Sequence, residues 1–290
     1  MNLLIAIPSY NEAGNLSRVI DRVVEFADQI LVVDDGSTDH TVELLSDRPQ
    51  VRFIRHDTNK GYGQSLIDAF AYADTHHFEW VITMDADGQH EASDIPDFIE
   101  LIRGDQYDLI SGSRYIAHHA GNDLPPPERR DINLRITRII NRELGSELKT
   151  PLTDAFCGFK AHRTSSMMKL ALSETGYAFP LQFWPRVAEH GLRMTELPVR
   201  RIYNDLNRTF GNGLDVARKR FEHYLEILNA ELIRMNRPTI HESLDTPVSD
   251  LLKSGPSVAG TPIAMSGQTL HASTARSAAT QPCGSGCGCR

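Results

Sequence analysis

What this chain has little of narrows it before any motif is read. Of four cysteines in 290 residues, Cys157 stands alone in the body, while Cys283, Cys287 and Cys289 crowd into the last eight residues. One body cysteine cannot carry a disulfide framework, so a reducing, cytoplasmic setting is expected. Long apolar runs are also missing: no stretch reaches the roughly 18 residues a membrane-crossing helix needs, so any membrane contact is expected to be peripheral. The start, Met1 to Pro8, lacks the charged and apolar regions of a signal peptide. Excess positive charge is absent too. The formal net charge is −8, and with no basic field no nucleic-acid partner is expected.

What is present is ordinary globular composition, 40 % hydrophobic and 23 % charged, enough for one large core or two small ones. Across residues 3–110, β-branched runs alternate with helical patterns, the mark of a parallel α/β sheet. Strands are expected at Leu3–Ile7, Gln29–Val33, Val51–Arg55, Trp80–Met84 and Asp108–Ser111. Between them come a helix carrying Leu16, Val19, Ile20, Val23 and Val24, then Asp39–Leu45, a helix ending near Thr75, and Asp94–Arg103. Arg129–Leu144 reads as a basic amphipathic helix, with Ile132, Ile136, Ile139, Ile140 and Leu144 set against Arg135, Arg138 and Arg142. Such a helix packs on a core or lies on an anionic bilayer. A helix over Leu181–His190, a strand over Arg193–Val199 and a long helix over Asp215–Met235 follow. After Pro238 the composition turns to Ser, Thr, Ala, Gly and Pro, so residues 241–290 are expected to be a disordered tail. Its three cysteines lack a fourth metal ligand and do not form a prenylation box.

Four polar loops follow strand ends and so share one edge of the sheet, where open α/β sheets bind ligands. Asp85-Ala86-Asp87-Gly88-Gln89 leaves a strand with two carboxylates able to converge on one hard cation and an amide oxygen beside them. A solvated acidic turn has the same composition. Asp34-Asp35-Gly36-Ser37-Thr38 offers a carboxylate to nucleobase N–H groups, or a turn in which Ser37 or Thr38 caps the next helix. Pro8-Ser9-Tyr10-Asn11-Glu12 offers a stacking ring and an acid at a helix start. Lys60-Gly61-Tyr62-Gly63 is not a phosphate loop of the Walker type, but its glycines permit close backbone approach to a ligand.

Taken together, the four loops resemble, in order and spacing, the nucleotide-binding half of family 2 glycosyltransferases with the A-type fold. The resemblance covers residues 3–115. Gly112-Ser113-Arg114-Tyr115 and the segment Asp154–Arg163 are similar to segments of dolichyl- or polyprenyl-phosphate mannose synthases and their glucosyl relatives, which extends it to about residue 200. It implies a mostly parallel central sheet flanked by helices, with a nucleotide-sugar half at 1–115 and an acceptor half at 116–240 of one catalytic domain. It implies inverting transfer of a hexose from a GDP- or UDP-sugar to a polyprenyl phosphate, at the cytoplasmic membrane face. Transfer to a sugar hydroxyl in glycan synthesis is the alternative. Pro8, Tyr10, Glu12 and Asp35 would then line the base and ribose pocket, with Lys60 in the adjoining substrate loop. Asp85, Asp87 and Gln89 would hold Mg²⁺ or Mn²⁺, with Asp87 and Arg114 at the reacting diphosphate. Arg129 or Arg130, Lys160 and Arg163 would meet the acceptor phosphate. Asp154 would be the base for a hydroxyl acceptor, or a structural carboxylate orienting Lys160 or Arg163. Two departures stand out: Cys157 replaces the usual Ser or Thr, and Tyr203–Gly211, with Arg208, replaces a Gly-x-Ser-Lys segment. A nucleotidylyltransferase is disfavoured because Ile7-Pro8-Ser9-Tyr10 stands where its Gly-rich, Arg-containing loop would be. Intact Asp85, Asp87 and Gln89 disfavour a non-catalytic binder.

Overall fold

The computed structural model describes residues 2–116, 127–200, 202 and 214–245. These fall in one compact unit, Met1–Gly255. The Arg208 segment and the tail from residue 246, with its three thiols, lie outside the described residues.

In chain order the elements are β1 (Leu3–Ser9), α1 (Ala13–Val23), β2 (Ile30–Asp34), α2 (Thr41–Ser46), β3 (Arg52–Arg55), α3 (Tyr62–Thr75), β4 (Trp80–Thr83), α4 (Ile95–Arg103) and β5 (Leu109–Ser113). Then come α5 (Pro127–Leu148), β6 (Lys160–Arg163), α6 (Thr164–Met167), α7 (Phe179–Glu189), β7 (Met194–Pro198) and α8 (Ala217–Arg234). Every strand and helix expected from the sequence is present within a few residues of its place. The strand β6 was not expected.

The strands form a seven-stranded sheet in the order β3-β2-β1-β4-β6-β5-β7. All neighbours are parallel except that β6 runs antiparallel to both β4 and β5. β1 and β2 are apolar on both faces because both faces are covered by helices. Leu4, Ala6, Leu31 and Val33 pack with residues of α3, α5, α7 and α8. Ile5, Ile7, Ile30 and Val32 pack against Leu16, Val19 and Ile20 of α1 and Phe98 of α4. Alternation along each strand thus feeds two cores, and each fully buried aliphatic side chain contributes roughly 1.5–3 kcal/mol.

The apolar stripe of α5 settles between its two readings. Ile132, Ile136, Ile139, Ile140 and Leu144 are all buried in the core that includes α7 and α8. The stripe is therefore not available to a bilayer, and two of the arginines set against it, Arg135 and Arg142, are held by acids. Arg135 Nε lies 2.7 Å from Asp131 Oδ2, and Arg142 pairs with Glu143 and Glu242.

The topology fixes which residues meet. Parallel strands β1, β2 and β4 deliver Ser9, Asp34 and the residues after Thr83 to one edge. Because β6 is reversed, its first residue reaches that edge and its last reaches the opposite one: Lys160 pairs with Thr83, Arg163 with Trp80.

Candidate active site

A cleft opens at the carboxyl edge, lined by all four sequence loops together with Arg114, Arg129, Phe156, Tyr177, Arg220 and Tyr224. Asp34 and Asp35, adjacent and both buried, avoid repelling each other by taking different partners. Asp34 Oδ1 accepts from Ser37 N (3.1 Å), and its Oδ2 faces Arg55 Nε at 3.5 Å. Asp35 is cradled by the next loop, Oδ1 accepting from Lys60 N and Oδ2 from Gly61 N, both at 2.8 Å. His56 then bridges Asp35 and Asp68, with Nδ1 2.6 Å from Asp35 Oδ1 and Nε2 2.8 Å from Asp68 Oδ2. Lys60 serves Asp35 through its backbone, while the residue is exposed and is not among those lining the cleft. The loop glycines also permit a close approach by protein. A Cβ on Gly61 (φ +105°) or Gly63 would collide with the carbonyls of Thr175 and Glu174, so they admit a protein segment that carries Tyr177. That ring stacks on Tyr62, centroids 5.9 Å apart.

Ser37 and Thr38 do not cap α2. Ser37 Oγ accepts from Asn11 N (2.9 Å), tying the Tyr10 loop to the Asp35 loop. Asp39 takes the capping role instead, Oδ1 accepting from Thr41 N and Oδ2 from Ala13 N, each 3.1 Å.

Asp85, Asp87 and Gln89 all line the cleft. Tyr62 donates its hydroxyl to Asp85 Oδ1 (3.1 Å), and Asp87 Oδ1 accepts from Gln89 N (2.9 Å). Burial pushes the His90 ring down to about 4, so it is neutral at pH 7. Its Nδ1 accepts from Asp85 N (3.1 Å), which places the proton on Nε2, 3.7 Å from Asp85 Oδ2. Gly158 backs the pair: a Cβ there would stand 2.7 and 2.8 Å from the two Asp85 oxygens. Among the described residues no group of three or more His, Cys, Asp and Glu could hold a metal by itself. Two carboxylates and an amide oxygen facing a cleft do fit a hard ion that shares its shell with phosphate and water.

Arg114 and Asp154 form a two-pronged pair, Nε to Oδ2 at 2.6 Å and Nη2 to Oδ1 at 2.9 Å. Asp154 accepts also from Arg114 N and Phe156 N, both 3.2 Å. Burial alone would raise its carboxyl, but the charge and hydrogen bonds of Arg114, with Lys160 behind, hold it below the usual range. Asp154 is 1 % exposed and does not line the cleft, and its carboxylate is engaged by Arg114.

The remaining cations divide. Arg129 lines the cleft and Arg130 is exposed outside it. Lys160 is buried beneath the site, donating to Cys157 O with Nζ 5.5 Å from the Trp184 ring centroid. Arg163 lies at the far edge of the sheet, on Asp105 and Asp108 and over the Trp80 ring. Neither meets the cleft, because the reversed strand carries one under it and the other away. Burial raises the Cys157 thiol to about 11, which makes it an inert packing group. Sequence reasoning missed His56, Tyr177, Arg220 and Tyr224. Arg220 is buried, with Nη1 2.6 Å from Leu214 O and Nη2 3.0 Å from Glu128 Oε1. No local pattern marks it, since the sequence of α8 shows only length and helical periodicity.

The chain matches the sequence profile described as Glycosyl transferase family 2 over residues 4–170. It is 28 % identical over 227 residues to an undecaprenyl-phosphate mannosyltransferase of Micrococcus luteus, covering 73 % of this chain and 88 % of that one. It is 28 % identical to a polyprenol monophosphomannose synthase of Mycolicibacterium smegmatis, over 76 % of this chain and 84 % of the relative. The fold resembles glucosyl-3-phosphoglycerate synthase of Mycobacterium tuberculosis, crystallised with Mn²⁺, UDP and phosphoglyceric acid, at a TM-score of 0.59 and 18 % identity, covering 82 % of this chain and 79 % of that one. With the A-type sheet, the cleft at its carboxyl edge and more than half of the chain inside the matched region, the protein belongs to glycosyl transferase family 2.

Proposed function

We propose that this enzyme moves a hexose, with inversion, from a nucleotide-sugar to a polyprenyl phosphate. The observation that carries the reading is the division of the cleft by charge. Its acids, Glu12, Asp35, Asp85 and Asp87, come from elements before residue 115, and Arg129, Arg220, Tyr177 and Tyr224 come from elements after it. The first set suits a base, ribose and metal-bound diphosphate. The second suits an anion that carries an apolar tail, since guanidinium groups recognise phosphate and aromatic rings cover isoprene. A donor half and an acceptor half of one domain follow from that division. The names of the mannosyltransferase and monophosphomannose synthase relatives support the same acceptor.

In this reading Tyr10 stacks on the base and Asp35 accepts from its N–H groups, the donor being a GDP- or UDP-sugar. Asp85 and Asp87, with Gln89, would hold Mg²⁺ or Mn²⁺, which supplies charge to offset the leaving diphosphate. Arg114, aimed by Asp154, adds a fixed donor pair toward the same phosphates. A phosphate acceptor is already anionic near neutral pH, so no side chain need remove its proton, and Asp154 is free to remain an ion-pair partner. Arg129 and Arg220 would bind the acceptor phosphate. Among the described residues no helix is long and apolar enough to cross a membrane, so the enzyme would reach its lipid from the surface.

Transfer of radiolabel from GDP- and UDP-hexoses to polyprenyl phosphate tests the reading. Label that partitions into organic solvent supports it. Label found only in water-soluble glycan would establish the hydroxyl-acceptor alternative, and none at all with any donor would refute transfer.

A further inference from the structure

Nothing in the proposed chemistry uses Glu196, yet it is placed to control Arg114. Glu196 lies on β7, an edge strand of the sheet. Its carboxylate turns toward the loop between α5 and β6, where Oε1 and Oε2 accept from Thr153 N at 3.0 and 2.9 Å. Oε2 accepts from Thr153 Oγ1 at 2.8 Å and Oε1 from Asp154 N at 3.1 Å. Burial pushes this carboxyl above the usual range, and the bonds from Thr153 and Asp154 work against that. Glu196 is half-buried, and a carboxylate withdrawn from water is costly unless its oxygens are bonded; these are bonded to consecutive residues of one loop.

The Thr153–Asp154 turn of that loop reaches Arg114 directly. Asp154 grips the Arg114 guanidinium at two points and its backbone N–H at a third. Thr153 Oγ1 also shares a hydrogen bond with Ser113 Oγ, in the strand that ends one residue before Arg114. Two routes, through Asp154 and through Ser113, thus converge from Glu196 on Arg114. Of these residues only Arg114 lines the cleft.

We propose that Glu196 is a positioning residue for transfer, fixing the Thr153–Asp154 loop so that the Arg114 guanidinium points at the substrate phosphates. The proposal rests on Arg114 acting on those phosphates. A merely structural anchor would lower stability and leave turnover per folded molecule unchanged. A positioning residue changes kcat through Arg114, because misplacing a catalytic group by about 1 Å can cost about 100-fold.

The experiment is a double-mutant cycle on the full chain with Glu196→Gln, Arg114→Lys and both together, measuring kcat, KM for donor and melting temperature. Gln keeps the shape and one acceptor oxygen, and Lys keeps the charge but loses the two-pronged geometry. Glu196→Gln should lower kcat about tenfold with donor KM little changed, and Arg114→Lys about 100-fold, the double variant matching Arg114→Lys alone because coupled residues are not additive. A double variant that loses the product of the two factors would overturn the proposal, as would Glu196→Gln with unchanged kcat. Thr153→Ala, which removes only the side-chain links, serves in the same cycle should Glu196→Gln fail to fold. Failure of the wild-type enzyme to transfer hexose would instead sink the functional reading, and is seen before any variant is made.

Discussion

Replacing Arg114 by Met should destabilise the protein and invert the way its stability responds to pH. In the native structure Asp154 is buried and bonded twice to the guanidinium, and Arg114 is itself mostly enclosed, its side chain 14 % exposed. Met fills much of the same volume but leaves the carboxylate unpaired. Removing one member of a buried ion pair costs about 3–5 kcal/mol. The backbone bonds from Arg114 N and Phe156 N survive, which argues for the lower end. For a domain of this size that is a fall in melting temperature on the order of 6–12 °C. The pH sign follows from the direction of the shift. Native Asp154 is held below the usual carboxylate range, so its contribution is fully present above the unfolded pKa and is lost as pH falls through the lower folded value. Without Arg114, burial dominates and the folded pKa rises above the unfolded one. The contribution of Asp154 is then complete below the unfolded pKa and is lost as pH rises through the raised value. Denaturant unfolding between about pH 4 and about pH 8 should show Arg114→Met losing stability toward high pH where the wild type does not. Adding Asp154→Asn should remove most of that dependence. A variant as stable as wild type at pH 7, or one that weakens toward acid, would refute the account of the pair.

Three further outcomes follow from particular contacts. Gly158→Ala places a methyl within 2.8 Å of both Asp85 oxygens, so transfer should fall about 10- to 100-fold while circular dichroism stays native; undiminished activity would show that Asp85 has room to move. His56→Ala removes the bridge between Asp35 and Asp68 and should weaken nucleoside-diphosphate binding about five- to thirtyfold, read by calorimetry against an unchanged acceptor KM. Arg163→Ala should leave kcat unaltered and lower stability by no more than about 1 kcal/mol, because its ion pairs sit at the opposite edge of the sheet; a loss of acceptor binding would contradict that placement.

The half of the site built on β1, β2 and β4 was legible because each strand is an apolar run that stops at polar residues, Pro8-Ser9 for β1 and an acid for β2 and β4. Val32-Val33 gives way to Asp34-Asp35, and Ile82-Thr83-Met84 to Asp85. Hydrophobic periodicity locates such strands, and parallel topology then sends their ends to one edge. The strand β6 was illegible for the opposite reason. Lys160-Ala161-His162-Arg163 carries no apolar run, and it is a strand because β4 and β5 leave a gap that its backbone fills. Without the reversal, nothing local says that Lys160 and Arg163 end at opposite edges. Long-range partners hid as well: His56 is 21 residues from Asp35 in sequence and meets it only once β3 has paired with β2. The α5 stripe was equally ambiguous, because apolar residues at helical spacing look the same whether they face a core or a bilayer.

The reversed strand and the loop before it also explain why the two ends of the cleft are mechanically linked. Within a few residues, Asp154 holds Arg114, Gly158 makes room for Asp85, and Gly158 O accepts from Thr83 Oγ1 at 2.7 Å. Trp184 Nε1 donates to Ala155 O at 2.9 Å, and Lys160 donates to Cys157 O beneath the segment. The carbonyls and carboxylates of this stretch are thus pinned from β4, α7 and its own interior. Interiors this densely bonded shift as units rather than atom by atom. A bulky residue at Cys157, buried in the middle of this segment, would therefore displace the Asp85 carboxylate and the Arg114 guanidinium together. In the proposed transfer both groups act at the diphosphate, and both rest against one buried segment.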